Sequence, residues 1–140
     1  MSFNEVRIHP IDLLPDKAIG LQLPLVPDNS YIFGCNYVMY DQIKANIKNL
    51  LLTQKGERIM YPDYGCDLNK ILFEINADIA NTAELIIRNA IAKWLPVVNI
   101  EKMSVAIDDV NEHIINISLS FSLSYSRQVD TLVVEVKQNE

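Results

Sequence analysis

Residues Ile115-Asn116-Ile117-Ser118-Leu119-Ser120-Phe121-Ser122-Leu123-Ser124-Tyr125-Ser126 alternate a large side chain with a small polar one at every step. A period of two puts Ile115, Ile117, Leu119, Phe121, Leu123 and Tyr125 on one face of a β-strand. The opposite face carries the serines and reads as a solvated sheet surface. Upstream, Met103, Val105 and Ile107 alternate with Ser104, Ala106 and Asp108, and Asn111-Glu112-His113 reads as the intervening turn. Downstream, Arg127–Asp130 reads as a turn and Thr131–Lys137 as a last strand. Leu132, Val134 and Val136 would share its buried side, leaving Thr131, Val133 and Glu135 outward. The expected sheet is a three-stranded antiparallel meander whose apolar face requires a covering layer.

The segment before the strands supplies that layer. Asp41–Gln54 reads as a helix, capped by Asp41, with Ile43, Ile47, Leu50 and Leu51 on one face. Lys44 and Lys48 fall between them and are expected to face solvent. A shorter helix is expected from Asp67, which would cap it, with Leu68, Ile71, Leu72 and Ile75 as its apolar face. A third is expected over Ile79–Leu95, with either Asn81 and Glu84 as a capping pair or a start one turn earlier, and Pro96 as its stop. Its broad stripe, which includes Ala83, Ile87, Ala90, Ile91 and Trp94, suits a helix lying flat on a sheet. The fold class is therefore α+β: a three-stranded antiparallel meander packed by three helices, over residues 36–140.

Residues 1–35 differ. Pro10, Pro15, Pro24 and Pro27 each remove a backbone donor and disfavour helix just before them. Ile19, Leu21, Leu23 and Leu25 alternate with polar or small residues, so the segment reads as an extended arm with one apolar face. That face either packs on its own domain or docks on a partner. Pro27-Asp28-Asn29-Ser30 reads as the turn that ends it.

Between the first two helices lies Lys55-Gly56-Glu57-Arg58-Ile59-Met60-Tyr61-Pro62-Asp63-Tyr64-Gly65-Cys66. Gly56 suits a helix end, Pro62 forces an extended step, and Gly65 permits positive φ. These residues hold two helices at a fixed angle and display Glu57, Arg58 and Asp63, as a docking surface would.

The chemistry of most other function classes is missing. The chain has 12 Lys and Arg against 18 Asp and Glu, a net charge of −6, with no basic run to draw nucleic acid or an anionic membrane. Two isolated histidines, His9 and His113, and two distant cysteines, Cys35 and Cys66, lack metal-site spacing, so neither metal nor cofactor is expected. The cysteines read as free thiols of a reducing compartment. The N-terminus lacks the pattern of a secretory signal, and no stretch approaches the ~20 apolar residues of a membrane span. The four glycines are dispersed, so there is no phosphate-binding loop. Glu57, Asp63, Asp67 and Glu74 cluster as a glycosidase pair might, but each has a structural role available at a helix end or turn.

The segment Leu51–Leu68, running on to Leu72-Phe73-Glu74, combines Thr53-x-x-Gly56-Glu57-Arg58 with Pro62-Asp63-Tyr64-Gly65 and a Leu-Phe-Glu helix. This resembles the signature of the small baseplate wedge subunit of contractile phage tails. That lysozyme-like baseplate protein family is related to the type VI secretion baseplate subunit, and the resemblance covers roughly Asp41–Val136. It implies a structural, non-enzymatic subunit of the virion tail baseplate, assembled in the host cytoplasm. It also implies six copies near the tube, with other wedge proteins and the tail sheath protein as partners. The C-terminal β region would start sheath assembly, so Thr131, Val133 and Glu135 join Gly56, Glu57, Arg58, Pro62, Asp63, Gly65 and Pro96 as expected partner-contacting residues. Family members carry Glu-Pro-Arg at the end of the long helix, where this chain has Leu95-Pro96-Val97. Contacts that depend on those two charges do not carry over. The same resemblance keeps two alternatives in view: a peptidoglycan-cleaving lysozyme-like enzyme and an anti-adaptor-type regulatory binding module. Truncation before Thr131 is expected to leave a folded domain.

Overall fold

A computed structural model describes residues 9–14, 16–25, 33–71, 79–107 and 114–137. The expected turns at Pro27–Ser30 and Asn111–His113 lie outside these residues, as do Leu72, Phe73, Glu74 and Ile75. In chain order, a single turn of 3-10 helix (Pro10–Leu13) precedes β1 (Gly20–Leu21), β2 (Cys35–Asn36) and α1 (Met39–Leu52). Then come α2 (Leu68–Ile71), α3 (Ile79–Trp94), β3 (Val98–Ile107), β4 (Ile114–Leu123) and β5 (Ser126–Lys137). The fold is α+β, built on a three-stranded antiparallel sheet in the order β3-β4-β5. Two long helices, α1 and α3, make up most of the helical layer. Of the expected middle helix, only Leu68–Ile71 falls within the described residues.

The alternation that opened the sequence reading becomes the core. Ile115, Ile117, Leu119, Phe121 and Leu123 are all buried, facing Ile43, Ile47, Leu50 and Leu51 of α1 and Ala83, Ile87 and Ile91 of α3 in one cluster. Leu132, Val134 and Val136 of β5 belong to that cluster too. A truncation before Thr131 would remove them, and each buried aliphatic side chain lost costs about 2–5 kcal/mol. The last strand is therefore an integral part of the core, against the expectation that the domain folds without it.

The serine face is less solvated than its composition suggests. Ser122 is buried and its hydroxyl donates to Glu101 Oε1 at 2.7 Å, while Ser120 and Thr131 share a cross-strand contact at 3.3 Å. The β4–β5 reversal occurs at Ser124-Tyr125, earlier than Arg127–Asp130. Register passes from Leu123↔Ser126 to Ser122↔Val129, so Arg127 and Gln128 form a bulge at the start of β5. That bulge is what gives the sequence its turn-like polarity there. Tyr40 on α1 donates its hydroxyl to the Gln128 carbonyl at 3.0 Å, and Lys44 pairs with Asp130 at 2.6 Å. Lys44, expected to face solvent, instead fastens α1 to the sheet.

The helix starts depart from expectation chiefly at α1. Helix α1 starts at Met39, which places Asp41 inside its first turn rather than at the cap. The Met39 amide instead donates to Asp12 Oδ1 at 2.8 Å, from a residue 27 positions earlier. Asn81 lies within α3, which agrees with the earlier of its two expected starts, and Glu84 pairs with Arg88 at 2.7 Å. Asp67 Oδ1 accepts from the Lys55 amide at 3.3 Å and Oδ2 pairs with Lys70, so its carboxylate ties the loop ends together.

Within the described residues the N-terminal segment meets β2 and α1, but not by one apolar face. Leu21 and Leu25 are exposed, and β1 is held by its backbone to β2 in a short antiparallel ribbon. Asn36 Nδ2 donates to both Leu21 O and Gln42 Oε1 at 3.1 Å, and Gln42 in turn donates to Asn46, joining the ribbon to α1. His9 packs its ring on Tyr125 at 5.2 Å. Asp12→Ala should therefore lower the unfolding free energy by about 0.5–2 kcal/mol, the usual worth of an N-terminal helix cap. Urea denaturation measures this, and hydrogen exchange should show the Met39 amide losing protection.

Candidate functional site

Residues 54–65 form a closed loop between α1 and α2. At its neck the Cys66 amide donates to the Thr53 carbonyl at 2.9 Å, and inside it Gly56 N–H donates to Pro62 O at 2.7 Å. Two turns follow, with Tyr61 N–H on Arg58 O at 3.2 Å and Tyr64 N–H on Tyr61 O at 3.0 Å. The backbone reverses at glycine on both sides: Gly56 has φ +93° and Gly65 has φ +115°. Gly56 looks into open space, whereas a Cβ on Gly65 would be driven into the Thr53 carbonyl. Such a network makes a compact Ω-type loop rather than a passive linker.

The charged residues expected on display are used locally. Glu57 Oε2 accepts from the Gln54 amide at 3.1 Å, while the Glu57 amide donates back to Gln54 O at 3.3 Å. Arg58 lies over the Tyr64 ring at 3.8 Å, a cation–π contact. Asp63 reaches Lys93 of α3 only at 3.9 Å and remains exposed. Trp94, at the end of α3, takes Tyr64 edge-on at 5.2 Å and Tyr61 at 6.3 Å. The loop therefore leans on the end of α3, two residues before Pro96, so loop and Pro96 turn form one neighbourhood. At that turn, Val97 O accepts from both the amide (2.9 Å) and the hydroxyl (3.1 Å) of Ser124, fixing it to the β4–β5 reversal.

What the loop presents outward is apolar. Ile59 is 95% exposed, Met60 84% and Tyr61 61%. In the sequence these three residues are overshadowed by the charges around them. Their signal was available as three adjacent large side chains with no periodic partner. A cleft of about 290 Å³ adjoins the loop, lined by Lys55, Asp63, Gly65, Ala90, Lys93 and Trp94 among others. Next in sequence to Gly65, Cys66 is buried, and its thiol is pushed up to about 12, chiefly by burial, with Lys55 opposing and Asp67 adding to the shift. Such a thiol stays protonated and unreactive at neutral pH. Among the described residues, no group of three His, Cys, Asp or Glu side chains is placed to hold a metal ion. No described Asp or Glu is buried, and no described helix is long and apolar enough to cross a membrane.

The other expected contact residues lie on β5. Thr131 and Val133 project from the exposed side of that strand, opposite Leu132 and Val134. Glu135 follows on the same side. Strand β5 pairs with β4 and forms one edge of the sheet.

The two glycines separate two costs. Gly56→Ala should cost about 1 kcal/mol through φ strain alone, whereas Gly65→Ala adds a backbone collision and should cost roughly 3 kcal/mol. Denaturant titration of both variants measures the difference; equal costs would mean the neck is looser than its geometry.

Comparison with known proteins converges on one group. The family model described as "Baseplate wedge protein gp25" matches residues 38–130. Baseplate wedge protein gp25 of Enterobacteria phage T4 is 31% identical over 83 residues, 58% of this chain, and the match spans 61% of that relative's length. A crystal structure from Geobacter sulfurreducens, provisionally described as a tail lysozyme, superposes with a TM-score of 0.64 at 22% identity, over 72% of this chain and 92% of that one. A chain of the baseplate complex from the type VI secretion system superposes with a TM-score of 0.56 at 17% identity, over 71% of this chain and 93% of that one. At these identities the two structures speak for the fold. The family match covers the two long helices, the Gly56–Gly65 loop and the sheet as far as Asp130, and the chain belongs to the baseplate wedge protein gp25 family, a structural family of contractile phage tail-like baseplates.

Proposed function

We propose that the chain is a non-enzymatic baseplate wedge subunit that links wedge proteins near the tube and starts sheath assembly through its C-terminal strand. The observation that carries this reading is the edge of β5. Tyr40 and Lys44 of α1 fasten the bulged start of that strand. From Thr131 onward the side away from β4 pairs with no other strand among the described residues. The Thr131 amide donates to Asp130 Oδ1 at 2.8 Å, which orients it away from β4. Period two gives the Val133 amide the same outward orientation. An edge of this kind accepts a strand from another chain by backbone hydrogen bonding. On this reading the partners are other wedge proteins and the tail sheath protein, with six copies per baseplate, assembled in the host cytoplasm.

The non-enzymatic part rests on how the candidate acids are placed. A glycosidase general acid needs a carboxyl in an apolar pocket, facing a second carboxyl across the scissile bond. Glu57 instead closes its own loop, and Asp63 stands in solvent beside Lys93. The purified protein should leave peptidoglycan turbidity unchanged. A loss of turbidity abolished by Glu57→Gln or Asp63→Asn would install the lysozyme reading instead.

The strand hypothesis is tested by Val133→Pro. Proline is tolerated on an edge strand where the amide faces away from the sheet, yet it removes the donor that an added strand needs. The variant should fold, with a melting temperature within a few degrees of the parent, and should yield baseplates that fail to grow sheath when viewed by electron microscopy. Normal sheath growth on Val133→Pro baseplates would refute the edge as template.

A further inference from the structure

We infer that Ile59, Met60 and Tyr61 form an anchor that inserts into an apolar pocket rimmed by carboxylates on a neighbouring protein of the assembly. The inference rests on the baseplate reading and names a second contact surface, away from β5. Three consecutive large apolar side chains at 95%, 84% and 61% exposure are costly to leave in water, and a mobile tip would fold them back onto the domain. This loop prevents that. The Gly56–Pro62, Tyr61–Arg58 and Tyr64–Tyr61 hydrogen bonds and the Arg58–Tyr64–Trp94 stack hold the tip outward. A preorganised anchor loses little entropy on binding, which is how hot-spot residues act.

The charges around the tip select the partner. Glu57 and Asp67 are occupied by the Gln54 and Lys55 amides, and Asp63 is loosely paired with Lys93. Among the described residues, the Lys55 ammonium and the Arg58 guanidinium have no carboxylate partner, in a chain of net charge −6. Lys55, Lys93 and Asp63 all line the 290 Å³ cleft beside the loop; Asp63 stands by Lys93, so a partner's carboxylate would sit at Lys55. Three side chains cannot supply the ~800 Å² per partner of a stable interface, so the tip is the anchor of a wider contact rather than a binding site by itself. A lipid surface fits less well. Glu57 and Asp63 flank the tip, and one short loop gives only marginal membrane binding.

The test co-expresses the full chain with the wedge proteins of the same tail and measures complex formation by size exclusion and titration. The double variant Ile59→Ser/Met60→Ser, altered at exposed positions only, should unfold like the parent. It should bind roughly tenfold to hundredfold more weakly, the usual loss of an anchor. Lys55→Glu should also weaken the complex, whereas Lys55→Gln should weaken it less. If the parent binds and the double variant binds as tightly, the anchor is refuted and the baseplate reading stands. If the parent binds no wedge protein, both fall. Co-sedimentation of the parent with phosphatidylcholine/phosphatidylglycerol vesicles, lost in the double variant, would overturn the protein partner in favour of lipid.

Discussion

At the neck of the 54–65 loop, the carbonyl of Thr53 accepts the Cys66 amide while the backbone of Gly65 lies against it. Thr53 also ends α1, donating its hydroxyl to the Asn49 carbonyl at 2.6 Å. One residue therefore closes a helix, pins the far end of a loop and sets where Cys66 and Leu68 enter the core. The ring stack with Trp94 follows from the same constraint, because Tyr64 is one residue from the glycine whose φ directs the chain back. Without a glycine at that contact the loop could not close at this distance, and the aromatic side chains would lose their place on α3.

The large features were legible because they are periodic. Ile115–Leu123 could pack only as a strand with one buried face, and the stripes of α1 and α3 could serve only as its cover. Gly56 and Gly65 were readable as positive-φ positions because few other residues adopt that backbone. The misreadings share a cause: short polar residues have many possible partners, and sequence proximity does not choose among them. Asp41 looked like a cap, yet Asp12 took the role from across the molecule. Asp67 stood before a helix, yet its oxygens went to Lys55 and Lys70. Arg127 and Gln128 had turn composition because a bulge also exposes backbone, and nothing in the local pattern separates the two.

The loop shows a second reason why a site is hard to read. Charged side chains draw attention as recognition elements, but a tight loop has unpaired amides of its own to satisfy, and Glu57 meets that need first. The guanidinium of Arg58 likewise lies over the Tyr64 ring, though no carboxylate pairs with it among the described residues. Ile59 and Met60 remain outward on that backbone network, and Tyr61 stays largely exposed beside its edge contact with Trp94. A loop motif rich in Gly, Pro, Asp and Arg can thus be a frame, with its recognition content in the less distinctive residues it holds up.

The Asp12–Met39 hydrogen bond joins residues 27 apart and completes the first turn of α1. It makes the start of a local helix depend on a non-local closure, whose entropy must be met before the bond can form. Without that bond the Met39 amide, one of the unpaired donors at the helix start, would lack this partner. A substitution at residue 12 would therefore act on the first turn of a helix that begins 27 residues later.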